Sequence, residues 1–499
     1  MGIKSFIILQ AAGLIAAKIN KWKKKAVADQ HAIMNHLINK AKNTSFGMDH
    51  NFKDIRTYED FKRQIPVRDY EALRHYIDQV TKGKPDILWP GKPKYFAKTS
   101  GTTSGIKYIP ITTESMPNHI ETARNAMLNY FHQQGQANVF DGKMIFLSGS
   151  PILEEKGNIP TGRLSGIVNH EIPAWVKGNQ LPTYDTNCID DWETKLEKVV
   201  DETLHHDMRL ISGIPPWVQM YFERLLEKTG KNTVKEIFPN FSLFIFGGVN
   251  FEPYRHKLES LVGGRIDSIE TYPASEGFIA FQDDVNDSGL LLNTNSGIFF
   301  EFIPIENVSD ANPERLMLSD VKLHKDYALI INNNAGLWAY DIGDCVRFVS
   351  LDPYKIKVSG RVKHYISAFG EHVIGKEVEE AILVVANREN ISIVEFTVAP
   401  EVNPPDGSQP YHEWFVEFGN VPSDVAQFAR AVDSEMCAQN IYYEDLIKGN
   451  ILQAIKLRVM QKDAFRNYMK SQGKLGGQNK VPRLSNDRKI ADAIKDYIM

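Results

Sequence analysis

The sequence is poor in the features that organise small secreted, metal-binding or nucleic-acid-binding proteins. Its three cysteines, Cys188, Cys345 and Cys437, lie far apart and form no Cys-x-x-Cys pair. That excludes a disulfide framework and a zinc knuckle, and fits a reducing cytoplasm. Neither sign of charge prevails: 58 Lys and Arg against 62 Asp and Glu leave a formal charge of −4, too little to draw a nucleic acid. The apolar run at residues 6–17 falls short of the roughly 20 residues a spanning helix needs. Lys18, Lys21, Lys23, Lys24 and Lys25 follow this run, whereas a signal peptide carries its charge in front. No internal repeat and no low-complexity tract occur. His119, His170 and His412 lack metal-ligand spacing, and each is expected to be a hydrogen-bonded structural histidine.

What the chain does have is length and texture. At 499 residues, 42% of them hydrophobic, it can bury two or three cores without staples. Ile8, Ala12, Ile15, Ile19 and Trp22 step by three or four, which predicts a helix packed on the body of the protein. A weak anchor on anionic membrane is the alternative for the same stretch. Helical spacing continues at residues 58–61 and 70–75. From residue 95 short apolar strands are predicted at 143–147, 243–246, 289–292 and 297–303. Helices are predicted between them at 117–133, 191–205, 216–228 and 254–262, and this alternation implies an α/β fold. Beyond Arg361 the pattern changes. Strands at 391–399, 413–418 and 450–459 with a helix at 424–437 predict a small α+β domain, so the expected domains are 1–361 and 362–499.

Four motifs carry chemistry. Residues 99–105 read Thr-Ser-Gly-Thr-Thr-Ser-Gly, with Lys107 and Pro110 following. Glycines allow the backbone to fold around an anion, and hydroxyls add donors. No Gly-Lys-Ser/Thr follows, so this is not a Walker A loop, and an ordinary surface turn has the same composition. Gly247-Gly-Val-Asn-Phe-Glu252 follows an apolar strand, the usual place for a nucleotide, or for a plain strand-to-helix connection. In Tyr272-Pro-Ala-Ser-Glu-Gly277 a turn presents Glu276, a carboxylate suited to Mg²⁺ beside phosphate oxygens, or simply to solvent. In Tyr340-Asp-Ile-Gly-Asp344 the second acid, reached past Gly343, suits ribose hydroxyls; a hairpin turn is the other reading. Tyr130, Trp175, Trp217 and Phe251 are candidate walls of a substrate pocket, though aromatics at helical spacing are more often core.

The order of these motifs resembles the adenylate-forming superfamily. More closely it resembles the Gretchen Hagen family of acyl acid–amido synthetases, best known from auxin and jasmonate conjugation in plants. Residues 99–110 are similar to the family's Ser-Ser-Gly-Thr-x-x-Gly…Lys…Pro motif, with Thr99 in place of the first serine. Residues 272–276 match Tyr-x-x-Ser-Glu, and 340–344 match Tyr-Arg-x-Gly-Asp with Asp341 replacing the arginine. Residues 476–483, Gly-Gly-Gln-Asn-Lys-Val-Pro-Arg, resemble its Gly-Gln-x-Lys-x-Pro-Arg segment. The resemblance implies a large N-terminal adenylation domain of layered sheets and helices and a small mobile C-terminal domain, with ATP and Mg²⁺ as cofactors. It implies that Thr99, Ser100, Gly101, Thr102, Thr103 and Lys107 hold phosphates. Gly248, Val249, Tyr272, Ser275, Tyr340, Asp344 and the hinge residue Arg361 would then bind the rest of the nucleotide, Glu276 the metal, and Lys480 the reacting α-phosphate. A carboxylic acid and an amine, most plausibly an amino acid, would be the other substrates. Coenzyme A as acceptor, or a non-catalytic ATP-binding scaffold, are the rival readings, and a monomer is expected.

Overall fold

The computed structural model describes residues 3–100, 106–189, 191–248, 251–308, 310, 312–361, 365–366, 373–402, 404–448, 452–474, 480–485 and 487–499. It divides into two compact units, one of residues 1–251 and 258–358, the other of 252–257 and 359–499.

In the larger unit the helix Ile3–Trp22 buries Ala12, Ala16, Ile19 and Trp22, with Ile8 and Ile15 half-buried. This face packs on the helix Met116–Gln134 through Ala126, Leu128 and Phe131, and on Phe278, Phe281 and Leu291. Packing on the body is therefore what the three-to-four spacing encoded. No helix among the described residues is long and apolar enough to cross a membrane. Tyr58–Gln64 and Tyr70–Thr81 extend the predicted short helices, each started by a side chain that satisfies an orphan backbone N–H. Thr57 accepts from the Asp60 N–H at 3.1 Å while the Asp60 carboxylate accepts from the Thr57 N–H at 3.0 Å.

An eleven-stranded sheet forms the centre of this unit. Its parallel part runs Gln180–Leu181, Lys143–Phe146, Met208–Ser212, Leu243–Gly247, Asp267–Ala274. Leu243–Gly247, with a strand on each side, is short and wholly apolar, as buried parallel strands are, whereas Asp267–Ala274 mixes polar and apolar residues. From Asp267–Ala274 onward the sheet continues antiparallel through Gly277–Gln282 to its far edge strand, Ile298–Pro304. Helix Pro215–Thr229 starts on two prolines, which need no N–H partner there, and ends on Gly230 in the left-handed region. A separate four-stranded sheet contains the antiparallel pair Tyr95–Ser100 and Ile106–Ile111.

The smaller unit is α+β, built on the three strands Ile393–Glu401, Tyr411–Phe418 and Gln453–Val459. Alternation along the middle strand splits its side chains between two cores. Trp414 and Val416 join Val378, Ile382, Phe428 and Val432 from the helices Gly375–Glu389 and Val425–Gln439. Phe415 faces the opposite way, onto Met460, Phe465 and Ile494.

Candidate active site

The hairpin of Tyr95–Ser100 and Ile106–Ile111 places Thr99 directly opposite Lys107 and Ser100 opposite Ile106. The segment that joins the strands, with Gly101, Thr102 and Thr103, lies outside the described residues, as does the side chain of Ser100. Lys107 Nζ sits 5.7 Å over the ring of Tyr70, whose hydroxyl accepts the Tyr108 N–H at 3.0 Å. The helix Tyr70–Thr81 thus holds the base of the loop. Tyr70 carried no sequence signal beyond helical spacing.

Gly248 and Glu276 stand at the carboxyl ends of neighbouring parallel strands, where open α/β sheets bind ligands. Gly247 pairs with Thr271, and a Cβ on it would lie 2.4 Å from the Thr271 carbonyl oxygen. The first glycine is therefore required by strand packing, not by a ligand. Gly248 is exposed with φ of +71°, and Val249 lies outside the described residues. Tyr272, Pro273 and Ala274 finish the strand Asp267–Ala274, and Ala274 pairs with Gly277. Ser275 and Glu276 are thus the two-residue turn of a hairpin, both half-buried. The Asn333 amide donates to the Glu276 carbonyl oxygen at 2.7 Å and fixes the turn. A run of three asparagines at 332–334, at the end of the strand Asp326–Asn333, was the available sequence signal for this support.

Residues 340–344 do not form a hairpin turn. They begin the strand Tyr340–Leu351, in which Ile330 faces Asp341 while Ala328 faces Cys345. Residues 342–344 therefore bulge opposite a single partner position, a distortion that re-aims side chains. Gly343 takes up the bulge at φ of +80°, and nothing lies within 4 Å of where its Cβ would be. Asp344 is buried, and the Tyr272 hydroxyl donates to its Oδ2 at 2.5 Å. Asp341, which stands where the family motif has arginine, accepts the Gly343 N–H at 2.8 Å and so stabilises the bulge. Tyr340 is buried; desolvation first, and then the negative charge of Glu276, hold its hydroxyl well above the usual range. The tyrosine thus backs the Glu276 carboxylate. Two tyrosines cross-connect these motifs: Tyr272, four residues before Glu276, bonds Asp344, and Tyr340, four residues before Asp344, lies in the field of Glu276.

Arg361 ends the strand Tyr354–Arg361, and its side chain lies outside the described residues. Lys480 belongs to the smaller unit and is exposed. The residues after it run along the strand Ile393–Glu401: Val398 N–H donates to the Arg483 carbonyl at 2.9 Å and Ser485 N–H to the Val398 carbonyl at 2.9 Å. Arg483 pairs with Glu379 at 2.8 Å and with Glu395, and lies 4.7 Å over the Phe396 ring. Lys480 thus immediately precedes a segment firmly held along that strand.

The proposed pocket walls have separate partners. Tyr130 donates to Asp267 at 2.8 Å, Trp217 packs 4.8 Å from Trp192, and Phe251 packs on Phe244 and Phe246. The Trp175 side chain lies outside the described residues. His170 bonds the Pro151 carbonyl at 2.7 Å. His119 departs from expectation: it is buried, its Nδ1 has no hydrogen-bond partner, and burial pushes its pKa down to about 4. Among the described residues no group of three or more His, Cys, Asp or Glu is placed to hold a metal. A Mg²⁺ here would take Glu276 as one carboxylate and fill its remaining positions from phosphate oxygens and water, which suits the ion.

Comparison with known proteins identifies the family and the fold. The GH3 family N-terminal domain profile matches residues 15–185, the central domain profile 291–361 and the C-terminal domain profile 376–489. The chain is 24% identical over 353 residues to jasmonoyl–L-amino acid synthetase JAR4 of Nicotiana attenuata, covering 58% of this chain and 60% of that protein. It is 21% identical to indole-3-acetic acid-amido synthetase GH3.4 of Arabidopsis thaliana, covering 91% of this chain and 88% of that one. Among solved structures, the GH3.15 acyl acid amido synthetase superposes with a TM-score of 0.81 at 15% identity, over 97% of this chain and 96% of that one. A 2-hydroxyisobutyryl-CoA ligase superposes with 0.57 at 12% identity, over 96% and 92%. The fold is therefore that of adenylate-forming enzymes.

Proposed function

The chain belongs to the GH3 family, and from that premise we propose that it is an ATP-dependent acyl acid–amido synthetase. A carboxylate attacks the α-phosphorus of ATP, forming acyl-adenylate and releasing pyrophosphate. An amine, in our reading an amino acid, then attacks the activated carbonyl and AMP leaves. The observation that carries this reading is the bond from Tyr272, near the end of a parallel strand and four residues before Glu276, to Asp344 beside the bulged Gly343. The ends of such strands are where α/β sheets bind nucleotides.

The division of labour follows from the chemistry of each group. Thr99, Ser100, Gly101, Thr102, Thr103 and Lys107 hold the β- and γ-phosphates that depart. Gly248 and Val249 lie beside the base. Asp344, held by Tyr272, accepts the ribose hydroxyls, each bond to a charged acceptor contributing about 1.5–3 kcal/mol. Glu276, with Ser275 beside it and Tyr340 behind, holds Mg²⁺, which neutralises phosphate charge when bound. Lys480 supplies a cation where charge develops in transfer, the place where electrostatic stabilisation contributes most. We assign residues 1–361 to the nucleotide and acid, and 362–499 to a domain that swings about Arg361 between half-reactions. The three unpaired cysteines support a reducing, cytoplasmic setting.

A pyrophosphate-release screen across carboxylic acids, followed by mass analysis of products with mixed amino acids or coenzyme A, tests the assignment. An amide product supports it; a thioester makes the chain an acyl-CoA ligase. ATP binding without acid-dependent pyrophosphate release makes it a scaffold.

A further inference from the structure

The helix Ile3–Trp22 uses only one of its two apolar faces against the protein. Its inward face is the packed set from Ile8 to Trp22 described above. Its outward face is a second stripe, Lys4, Ile7, Ala11, Leu14, Lys18 and Lys21, again spaced by three and four, and all six are exposed. Ile7 and Leu14 are 61% and 76% exposed, and Phe6 beside them is 53% exposed. An isoleucine, a leucine and a phenylalanine thus point into solvent along about 10 Å of one helix.

The charged residues of the helix itself all have one sign. Residues 1–28 contain six lysines and no Asp or Glu. Lys4 stands at one end of the apolar stripe; Lys18, Lys21, Lys24 and Lys25, all exposed, stand at the other. Carboxylates around the helix are engaged elsewhere or by its own residues: Asp141 by the Ser5 hydroxyl at 2.6 Å, Asp283 by Lys23 at 3.6 Å and Lys355 at 2.6 Å, and Glu121, which shares a groove with Lys18, by Arg124 at 3.7 Å. Glu114 is engaged by Lys40 at 3.1 Å.

From this arrangement we propose that the outward face of helix Ile3–Trp22 docks the protein on an anionic lipid surface. Phe6, Ile7 and Leu14 enter the boundary between headgroups and acyl chains, and the flanking lysines meet lipid phosphates and carboxylates. Long lysine stems reach the headgroups while the helix lies flat. A second copy of the chain is a poor occupant, because pairing the two faces sets lysine against lysine. The proposal concerns a stripe one residue out of step with the one that the sequence periodicity first suggests, and so about 100° around the helix from it, and it is independent of the reaction proposed above.

Co-sedimentation of the full-length chain with vesicles tests it. The expected result is binding to phosphatidylcholine mixed with phosphatidylserine, little binding to phosphatidylcholine alone, and release by salt. Leu14→Glu and Ile7→Glu abolish binding while leaving the melting temperature unchanged, since neither touches the packed face. Each of Lys18→Gln and Lys21→Gln lowers partitioning about fivefold. No binding to the anionic vesicles, equal binding to both kinds, or a Leu14→Glu variant that binds like the parent overturns the proposal. So does a dimer in sedimentation velocity that Leu14→Glu dissociates, which makes a second copy the occupant.

Discussion

The Tyr272 hydroxyl donates to the Asp344 carboxylate at 2.5 Å, joining the end of a central strand to a bulge in another strand of the same sheet. Asp344 is buried, so its orientation is set by this bond and by the bulge. Removing the hydroxyl leaves the Asp344 charge in place but frees it to turn. Tyr272→Phe is expected to raise the KM for ATP by about one order of magnitude or more, the worth of one bond to a charged group, with less change in kcat. Pyrophosphate-release kinetics at varied ATP make the check, and an unchanged KM denies Asp344 its role in nucleotide binding.

Lys480 is predicted to act in adenylation alone. Lys480→Ala should slow acid-dependent pyrophosphate release by about 100-fold or more, as loss of a group aimed at transition-state charge does. Transfer from a supplied acyl-adenylate to the amine should be nearly unchanged. Normal adenylation by the variant would remove this lysine from the mechanism.

Much of this account was legible in the sequence, for identifiable reasons. Helices such as Pro215–Thr229 and Trp192–Thr203 have local stop and start signals, a proline pair or a capping Asp191, which read without tertiary knowledge. The strand Leu243–Gly247 announced itself as an apolar run ending in glycine. The reading of residues 340–344 as a turn failed because Gly and Asp mark both turns and bulges. Only the pairing with Asp326–Asn333 tells which. Gly247 looked like a ligand shelf, yet its need for glycine comes from the Thr271 carbonyl of a neighbouring strand. Long-range supports are harder to read: Tyr70 under Lys107 shows only helical spacing, and Asn333 under Glu276 only an asparagine run that names no partner.

Burial of His119 ties stability to acidity. Its pKa falls from the ordinary 6.5 to about 4 because the imidazolium loses its hydration and no partner replaces it at Nδ1. The unfolded chain therefore binds the extra proton first. The contribution is fully present above about pH 6.5 and is lost as pH falls through about 4, amounting to about 3 kcal/mol. Urea midpoints measured from pH 7 to 4 should fall less steeply in His119→Leu than in the parent. Parallel slopes would show that the histidine is not buried neutral.

The pair of Glu301 and Arg315 should dominate the stability of its part of the sheet. Their side chains are 0% and 5% exposed at 2.7 Å, and the Tyr58 hydroxyl and Asn332 amide each donate to Glu301 at 2.9 Å. Arg315→Met leaves the carboxylate buried without its cation and is expected to cost about 3–5 kcal/mol. Glu301→Gln combined with Arg315→Met should recover part of that loss. Denaturant titration of the three proteins gives the comparison, and a single variant as stable as the parent would contradict the burial.

Acid-dependent exchange of labelled pyrophosphate into ATP is the decisive measurement, because it reads adenylation before any acceptor is known. Exchange is expected with at least one carboxylic acid, dependent on Mg²⁺ and lost in Glu276→Gln and Asp344→Ala. No exchange across a broad acid panel, or exchange that survives both substitutions, would contradict the proposed adenylation.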